Sequence, residues 1–207
     1  MTDETDRTPT ETRILDAARA LFFTEGFGAV TTDRLCREAS VSKTSLYKYF
    51  GDMDGVLTAV VRREADVFSV GVDGQPETPE AFEAALIAYG ANLLRLLNEP
   101  FCIQFDRMMH EEARSRPEVA RAFYDAAYGR AHRDMTALLT EGHARGFVDP
   151  GADPANLADH LISMWEGLAY VRTRLGLQPA TVNDPTAWSA QVVALFLRGA
   201  ASRYAAA

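Results

Sequence analysis

The chain has 207 residues, 47% hydrophobic and 24% charged, with a net charge of −8 at neutral pH. That length and balance give a chain that buries a core in one or two domains, and they exclude a disordered or fibrous protein. No run of about 18 apolar residues is present for a membrane span, and the opening MTDETDRTPTETR is acidic and Thr-rich where a signal peptide is basic and then apolar, so the expected location is cytoplasmic.

Helical periodicity dominates, with no alternating apolar runs joined by a hairpin turn, and the expected fold is all-α with about nine helices. A first helix, capped by Thr10 or a neighbour, carries Ile14, Leu15, Ala18, Leu21 and Phe22 on one face and stops at Gly26. Thr31 or Thr32 opens a short second helix with Leu35 and Cys36, ending near Ser40, and Ser42 caps a third with Leu46, Tyr47 and Phe50. Gly51 and Asp52 break the third helix. A fourth begins with Val56, Leu57, Val60 and Val61 and runs to about Phe68.

After the loop SVGVDGQPETP, prolines at first helical positions mark five longer helices, where the missing N–H costs nothing. They span approximately Pro79 to Asn98, Pro100 to Ser115, Pro117 to Arg145, Pro154 to Leu175 and Pro185 to Arg203, with Gly146 and Gly176 where C-terminal caps belong. The expected division is therefore a three-helix N-terminal domain, 8–52, and a helical bundle, 53–207.

The net acidity hides an asymmetry. Seven bases and five acids lie between Arg7 and Phe50, a local +2 that leaves −10 for the remainder. Both lysines of the chain, Lys43 and Lys48, fall in the acid-free stretch from Ala39 to Gly51. If the protein binds nucleic acid, it does so through this quarter.

Residues 31–50, TTDRLCREASVSKTSLYKYF, read as helix, tight turn, helix. Leu35, Ala39, Val41, Leu46 and Phe50 can lock the two helices at a fixed angle, which leaves Lys43, Thr44, Ser45, Tyr47, Lys48 and Tyr49 on the exposed side. Lysine pairs with phosphate, hydroxyls donate to phosphate or base edges, and the helix N-terminus at Ser42 offers backbone N–H groups to an anion.

The stretch GFGAVTTDRLCREASVSKTSLYKYFGDMDGVL resembles the DNA-binding domain of the TetR (tetracycline repressor-like) regulators, with their Gly-aromatic turn, T-T-x-x-I/L helix, A-G-V-S turn and [ST]-L/I-Y-x-[HY]-F recognition helix. The resemblance covers residues 11 to about 60. It implies a DNA-binding set of Thr32, Ser42, Lys43, Thr44, Ser45, Tyr47, Lys48 and Tyr49, with Tyr47 on phosphate and Thr44, Ser45 and Lys48 closest to bases. Two positions depart from the pattern. Ser40 stands where the turn commonly has glycine, at a cost of about 1 kcal/mol if the backbone is left-handed. Met53 stands where many members have a lysine, which removes one phosphate contact.

A −10 body is repelled by DNA and should serve another task. Its large side chains, among them Tyr89, Phe105, Met109, Tyr124, Tyr128 and Trp165, are either core or the walls of a pocket for a small organic ligand. The resemblance favours the pocket, because these regulators typically hold an inducer there, and HEEARSRPEVARAFYDAAYGRA resembles a C-terminal domain of a subset of the family. The apolar stripes of the last two helices, Leu157, Leu161, Met164, Trp165 and Leu168, then Trp188, Val192, Leu195 and Phe196, pair either within the chain or with a second copy. The resembled family builds a four-helix dimer interface from such helices.

No catalytic motif, nucleotide fingerprint or cofactor signature is present, and no metal site is expected. His110, Glu111 and Glu112 are adjacent, so they point about 100° apart on a helix and cannot all ligate one ion. Cys36 lies on the lock face and is expected to be buried. Cys102 sits near a helix N-terminus, a position that activates a thiol only if it is exposed. With the resemblance, these features lead to the expectation of a homodimeric, effector-responsive repressor of a palindromic operator, with the helix from Asp52 to Phe68 transmitting the effector's influence. The alternative is a small-molecule carrier or sensor bundle whose helix-turn-helix does not engage DNA.

Overall fold

A computed structural model describes residues 8–67, 75–149, 151–178 and 183–200. Among them the regular structure is entirely helical: α1 Pro9–Glu25, α2 Thr32–Glu38, α3 Lys43–Phe50, α4 Met53–Val67, α5 Pro79–Leu97, α6 Pro100–Glu112, α7 Pro117–Ala126, α8 Tyr128–Ala144, α9 Pro154–Arg174 and α10 Pro185–Ala200, with one 3-10 turn at Phe27–Ala29. The expected helix ends at Phe68 and Arg203 lie outside the described residues.

Packing separates two compact units, Met1–Val67 with Gln104–Ala127, and Phe68–Ile103 with Tyr128–Ala207. The expected line between 52 and 53 followed the helix-turn-helix motif. The packing units are drawn differently, because α4 lies against α1, α3 and α7 and its Val56, Leu57, Val60 and Val61 are fully buried.

In the N-terminal unit, α1 opens on a capping box. Thr8, two residues before the expected Thr10, accepts the Glu11 N–H at 3.3 Å, while the Glu11 carboxylate accepts the Thr8 N–H at 2.8 Å. Its inward face is the expected Ile14, Leu15, Ala18, Leu21 and Phe22. Arg63 of α4 reaches back to α1, donating to Asp16 Oδ1 at 2.7 Å and to the Leu15 carbonyl at 3.2 Å. Arg19 of α1 meets the buried Glu64 of α4 at 3.0 Å, so the two helices are tied by charge as well as by burial. Asp52 accepts the Gly55 N–H at 2.7 Å and starts α4. Gly55 is required there, since a Cβ would stand 1.9 Å from the Phe50 carbonyl oxygen.

In the C-terminal unit, α5 packs on α10 and α9, and α8 on α9. Phe82, Leu86, Tyr89, Met135, Leu139, Leu161, Trp165 and Val193 form the centre of one core. The single helix expected from Pro117 to Arg145 is two, because Ala127 leaves the helical region at φ −102° and ψ −81°. The break falls at a unit boundary: Val119 and Phe123 of α7 belong to the N-terminal unit, whereas Met135, Leu138 and Leu139 of α8 belong to the C-terminal one. A second irregularity falls inside α9, where Gly167 has φ 53° and ψ −171°.

Candidate nucleic-acid interface

The helix-turn-helix is closed by local chemistry at each step. Thr31 caps α2 by accepting the Arg34 N–H at 3.3 Å, and Ser42 caps α3 by accepting the Ser45 N–H at 3.1 Å. Between them α2 ends in a Schellman turn: the Val41 N–H donates to the Cys36 carbonyl at 3.0 Å and the Ser40 N–H to that of Arg37 at 3.2 Å. Ser40 takes the left-handed conformation, φ 53°, that this turn demands. Leu35, Ala39 and Leu46 are buried in the lock, and Val41 and Phe50 are half-buried beside them.

This leaves one polar side of α3 outward. Lys43, Thr44, Tyr47 and Lys48 are exposed, Tyr47 at 47%, while Ser45 and Tyr49 are half-buried. The Ser42 hydroxyl is exposed but engaged in capping, 3.0 Å from Ser45 Oγ. Thr32 is half-buried in the first turn of α2. The eight residues expected at a DNA surface therefore lie on α2, α3 and the Ser42 cap between them, all between Thr32 and Tyr49.

The electrostatics of this surface are not visible in the acid-free stretch alone. The fold brings Asp33 of α2 to 2.7 Å from the Lys43 ammonium, and its hydrogen bond and then its charge raise the lysine above its usual range. Arg34 pairs with Glu25 at 3.5 Å and with Glu38 at 3.6 Å. Lys48 has no carboxylate at ion-pair distance among the described residues, and its ammonium sits 5.6 Å from the centre of the Tyr49 ring. Cys36 is buried, and that burial, reinforced by Asp33, pushes its thiol up, which disfavours the reactive thiolate. Cys102 is 2% exposed, so the condition for activating it by a helix N-terminus is not met.

The six residues expected around a ligand are divided between the units. Phe105 and Met109 are core side chains of the N-terminal unit, Phe105 stacked 5.5 Å from Phe23 and edge-on to Phe123 at 5.2 Å, whereas Tyr124 of the same unit is 56% exposed. Tyr89 and Trp165 lie together in the C-terminal core, ring centres 6.0 Å apart. The Tyr89 hydroxyl donates to the Ala131 carbonyl at 3.1 Å, and burial pushes its phenol upward. Tyr128 is half-buried at the start of α8.

A cavity of about 320 Å³ opens between α5, α9 and α10 of the C-terminal unit, with Leu94, Trp165, Glu166, Tyr170, Trp188 and Gln191 among its walls. Trp165 is the one expected ligand residue that lines it. Tyr170 and Trp188 were legible as large side chains, but periodicity did not separate cavity walls from core. Of the adjacent acidic pair, Glu112 is bound to Arg116 and Glu111 is exposed, while His110 Nδ1 lies 2.8 Å from the Asp106 carbonyl. No group of three potential metal ligands occurs among the described residues. No described helix is long and apolar enough to cross a membrane.

Comparison with known proteins bears on both halves of the chain. The family model of the bacterial regulatory proteins of the tetR family matches residues 14–60, and that of the AefR-like transcriptional repressor C-terminal domain matches residues 84–204. The HTH-type transcriptional repressor SCO4008 of Streptomyces coelicolor is 30% identical over 162 residues, 77% of this chain and 78% of that protein. The HTH-type transcriptional regulator UidR of Escherichia coli K12 is 30% identical over 63 residues, 30% of this chain and only 32% of its own length. The same fold is found in the Flavonoid-responsive Regulator FrrA (TM-score 0.82, 23% identity, 94% of this chain and 98% of that one) and in a TetR transcriptional regulator from Agrobacterium tumefaciens (TM-score 0.79, 24% identity, 95% and 96%). With the helix-turn-helix and the helices behind it each matched, and with a relative aligned over most of its length, this chain belongs to the TetR family of DNA-binding transcriptional regulators.

Proposed function

We propose that the protein is a homodimeric repressor that binds a palindromic operator through α3 and is released by a small organic effector. The observation that carries this reading is the outward polar side of α3, with Lys43, Thr44, Tyr47 and Lys48 exposed while Leu46 on the opposite side is fully buried. A helix held in this way enters a major groove with its N-terminal residues toward base edges. Tyr47 and Lys48 then hold phosphate or bases, and Ser42, Ser45, Tyr49 and Thr32 lie at the margin of the same surface.

One such helix supplies few phosphate contacts, and the local charge of +2 makes a single copy weak and salt-sensitive. A second copy meets that need. Leu168, Val171, Leu175 and Leu195 are 69%, 45%, 68% and 64% exposed along α9 and α10, and Trp188 is 40% exposed. Large apolar side chains in that density on two helices favour a protein partner over water, and a dimer offers two recognition helices to half-sites one turn of DNA apart, about 34 Å, or a multiple of it. Repression follows the names of SCO4008 and of the AefR-like domain model.

The effector reading rests on the cavity walled by Trp165, Tyr170 and Trp188, which has the aromatic lining and scattered polar groups of a small-molecule site. An effector acts only through different affinities for the two arrangements of the recognition helices, and α4 is the helix proposed to carry the shift. The test is a selection of bound duplexes from random DNA, followed by gel shifts of the Tyr47→Ala and Lys48→Ala proteins. Each substitution is expected to weaken operator retention by tenfold or more, a loss of about 1.4 kcal/mol, with an unchanged melting temperature. Wild-type gel shifts by both variants would refute the assignment of α3.

A further inference from the structure

Lys43 is the first residue of α3, the end of a recognition helix that lies nearest the base edges. Its ammonium is 2.7 Å from Oδ1 of Asp33, with the lysine side chain 53% exposed and the aspartate 68%. A pair so open to water adds little to the stability of the fold. The packing of α2 on α3 does not need it either, because Leu35, Ala39 and Leu46 are buried between them and the Schellman turn fixes their connection.

Asp33 nevertheless stands in the first turn of α2, within the surface offered to a polyanion. A carboxylate at that place weakens sequence-independent binding, so its role lies elsewhere than in affinity.

We infer that Asp33 is a positioning residue for sequence recognition, holding the Lys43 ammonium at one point over the base edges and withholding it from indiscriminate phosphate contacts. A lysine ammonium is a point charge with three donors on a flexible four-carbon stem. Left free, it pairs with whichever phosphate is nearest. With one donor spent on Asp33, the remaining two point from a fixed origin, as a contact to guanine O6 and N7 requires. Lys48, which has the Tyr49 ring rather than a carboxylate beside it, is not held in this way. The recognition helix thus carries one tethered and one untethered cation. This inference rests on the reading of α3 as the DNA-contacting helix.

The test uses the full chain and two duplexes of equal length, one selected by the wild-type protein from random DNA and one of random sequence, with binding measured across a salt series. Asp33→Asn is expected to bind the random duplex about tenfold more tightly as a dimer, with a salt slope steeper by about 0.9 per subunit from the phosphate that Lys43 now takes. It is also expected to lose its preference at one base pair of each half-site while keeping the others. Asp33→Glu retains the tether and restores both properties. In a Lys43→Gln background, Asp33→Asn leaves the slope where Lys43→Gln put it. An Asp33→Asn protein whose affinities for the two duplexes move by the same factor, or whose slope is unchanged, overturns the inference. If the wild-type protein itself prefers no duplex, the reading of α3 fails, and the role of Asp33 falls with it.

Discussion

The two packing units cap helices alike but bury them to different extents. In the N-terminal unit α1, α2 and α3 have 17, 7 and 8 residues, and each starts on a hydroxyl that caps it: Thr8, Thr31 and Ser42. In the C-terminal unit α5, α8, α9 and α10 have 19, 17, 21 and 16 residues; α5, α9 and α10 also start on side-chain caps, Thr78, Asp153 and Asp184, and a shared aromatic and aliphatic core holds all four together. A short helix buries too little to be stable by itself, so its ends must be written in local chemistry. A long one has its neighbours to hold it as well as its cap. Display follows the same division: the short α3 turns its polar residues outward, while the large side chains of the long helices are mostly used up in packing.

Substitutions that strike one means of support and spare the other sharpen this contrast. The largest effect is expected in the C-terminal unit, where Trp165 is 1% exposed. Trp165→Ala should cost about 3–5 kcal/mol in a denaturant titration, and a loss under 1 kcal/mol would show that this core does not carry the unit. The caps come next. Thr31→Ala removes the acceptor of the Arg34 N–H and is expected to cost about 1 kcal/mol, measured in the same way, with operator binding weakened only as far as α2 frays. Equal costs for the two substitutions would erase the distinction drawn between the units.

The smallest expected effect has the opposite sign. Three Schellman turns of the same pattern close α2, α8 and α9, at Ser40, Gly146 and Gly176, with φ of 53°, 76° and 72°. Only the first puts a side chain in the left-handed region. Ser40→Gly should therefore stabilise the protein by up to about 1 kcal/mol, raising the melting temperature. A lowered melting temperature would mean that the serine hydroxyl supports the turn in a way its backbone geometry does not reveal.

The same division decides what could be read from the chain. Ser42, Thr31 and Gly26 were legible because each acts within four or five positions of its effect, and the lock residues Leu35 and Leu46 because each follows the apolar period of its own helix. The capping box at Thr8 was displaced by only two residues from the expected Thr10. The meeting of Asp33 with Lys43 was not legible: it joins residues ten apart across a turn whose geometry depends on Ser40 being left-handed. The break at Ala127 was not legible either: no proline marks it, and Gly129 just beyond it lies inside α8. The ligand residues were the hardest case. A buried aromatic has the same periodicity whether it packs, as Phe105 does, or lines a cavity, as Trp165 does. Tyr124, exposed by more than half, breaks even that pattern.

The account depends most on α3 acting in pairs upon DNA. Hydroxyl-radical footprinting of the full-length protein on the duplex it selects from random sequence tests this directly, with the mass of the complex measured alongside. The expected result is two protected half-sites of inverted sequence, about 10 base pairs or a multiple of that apart, with two chains bound per duplex or an even multiple. A single protected site held by one chain, or no protection at any salt concentration that keeps the protein folded, would contradict it.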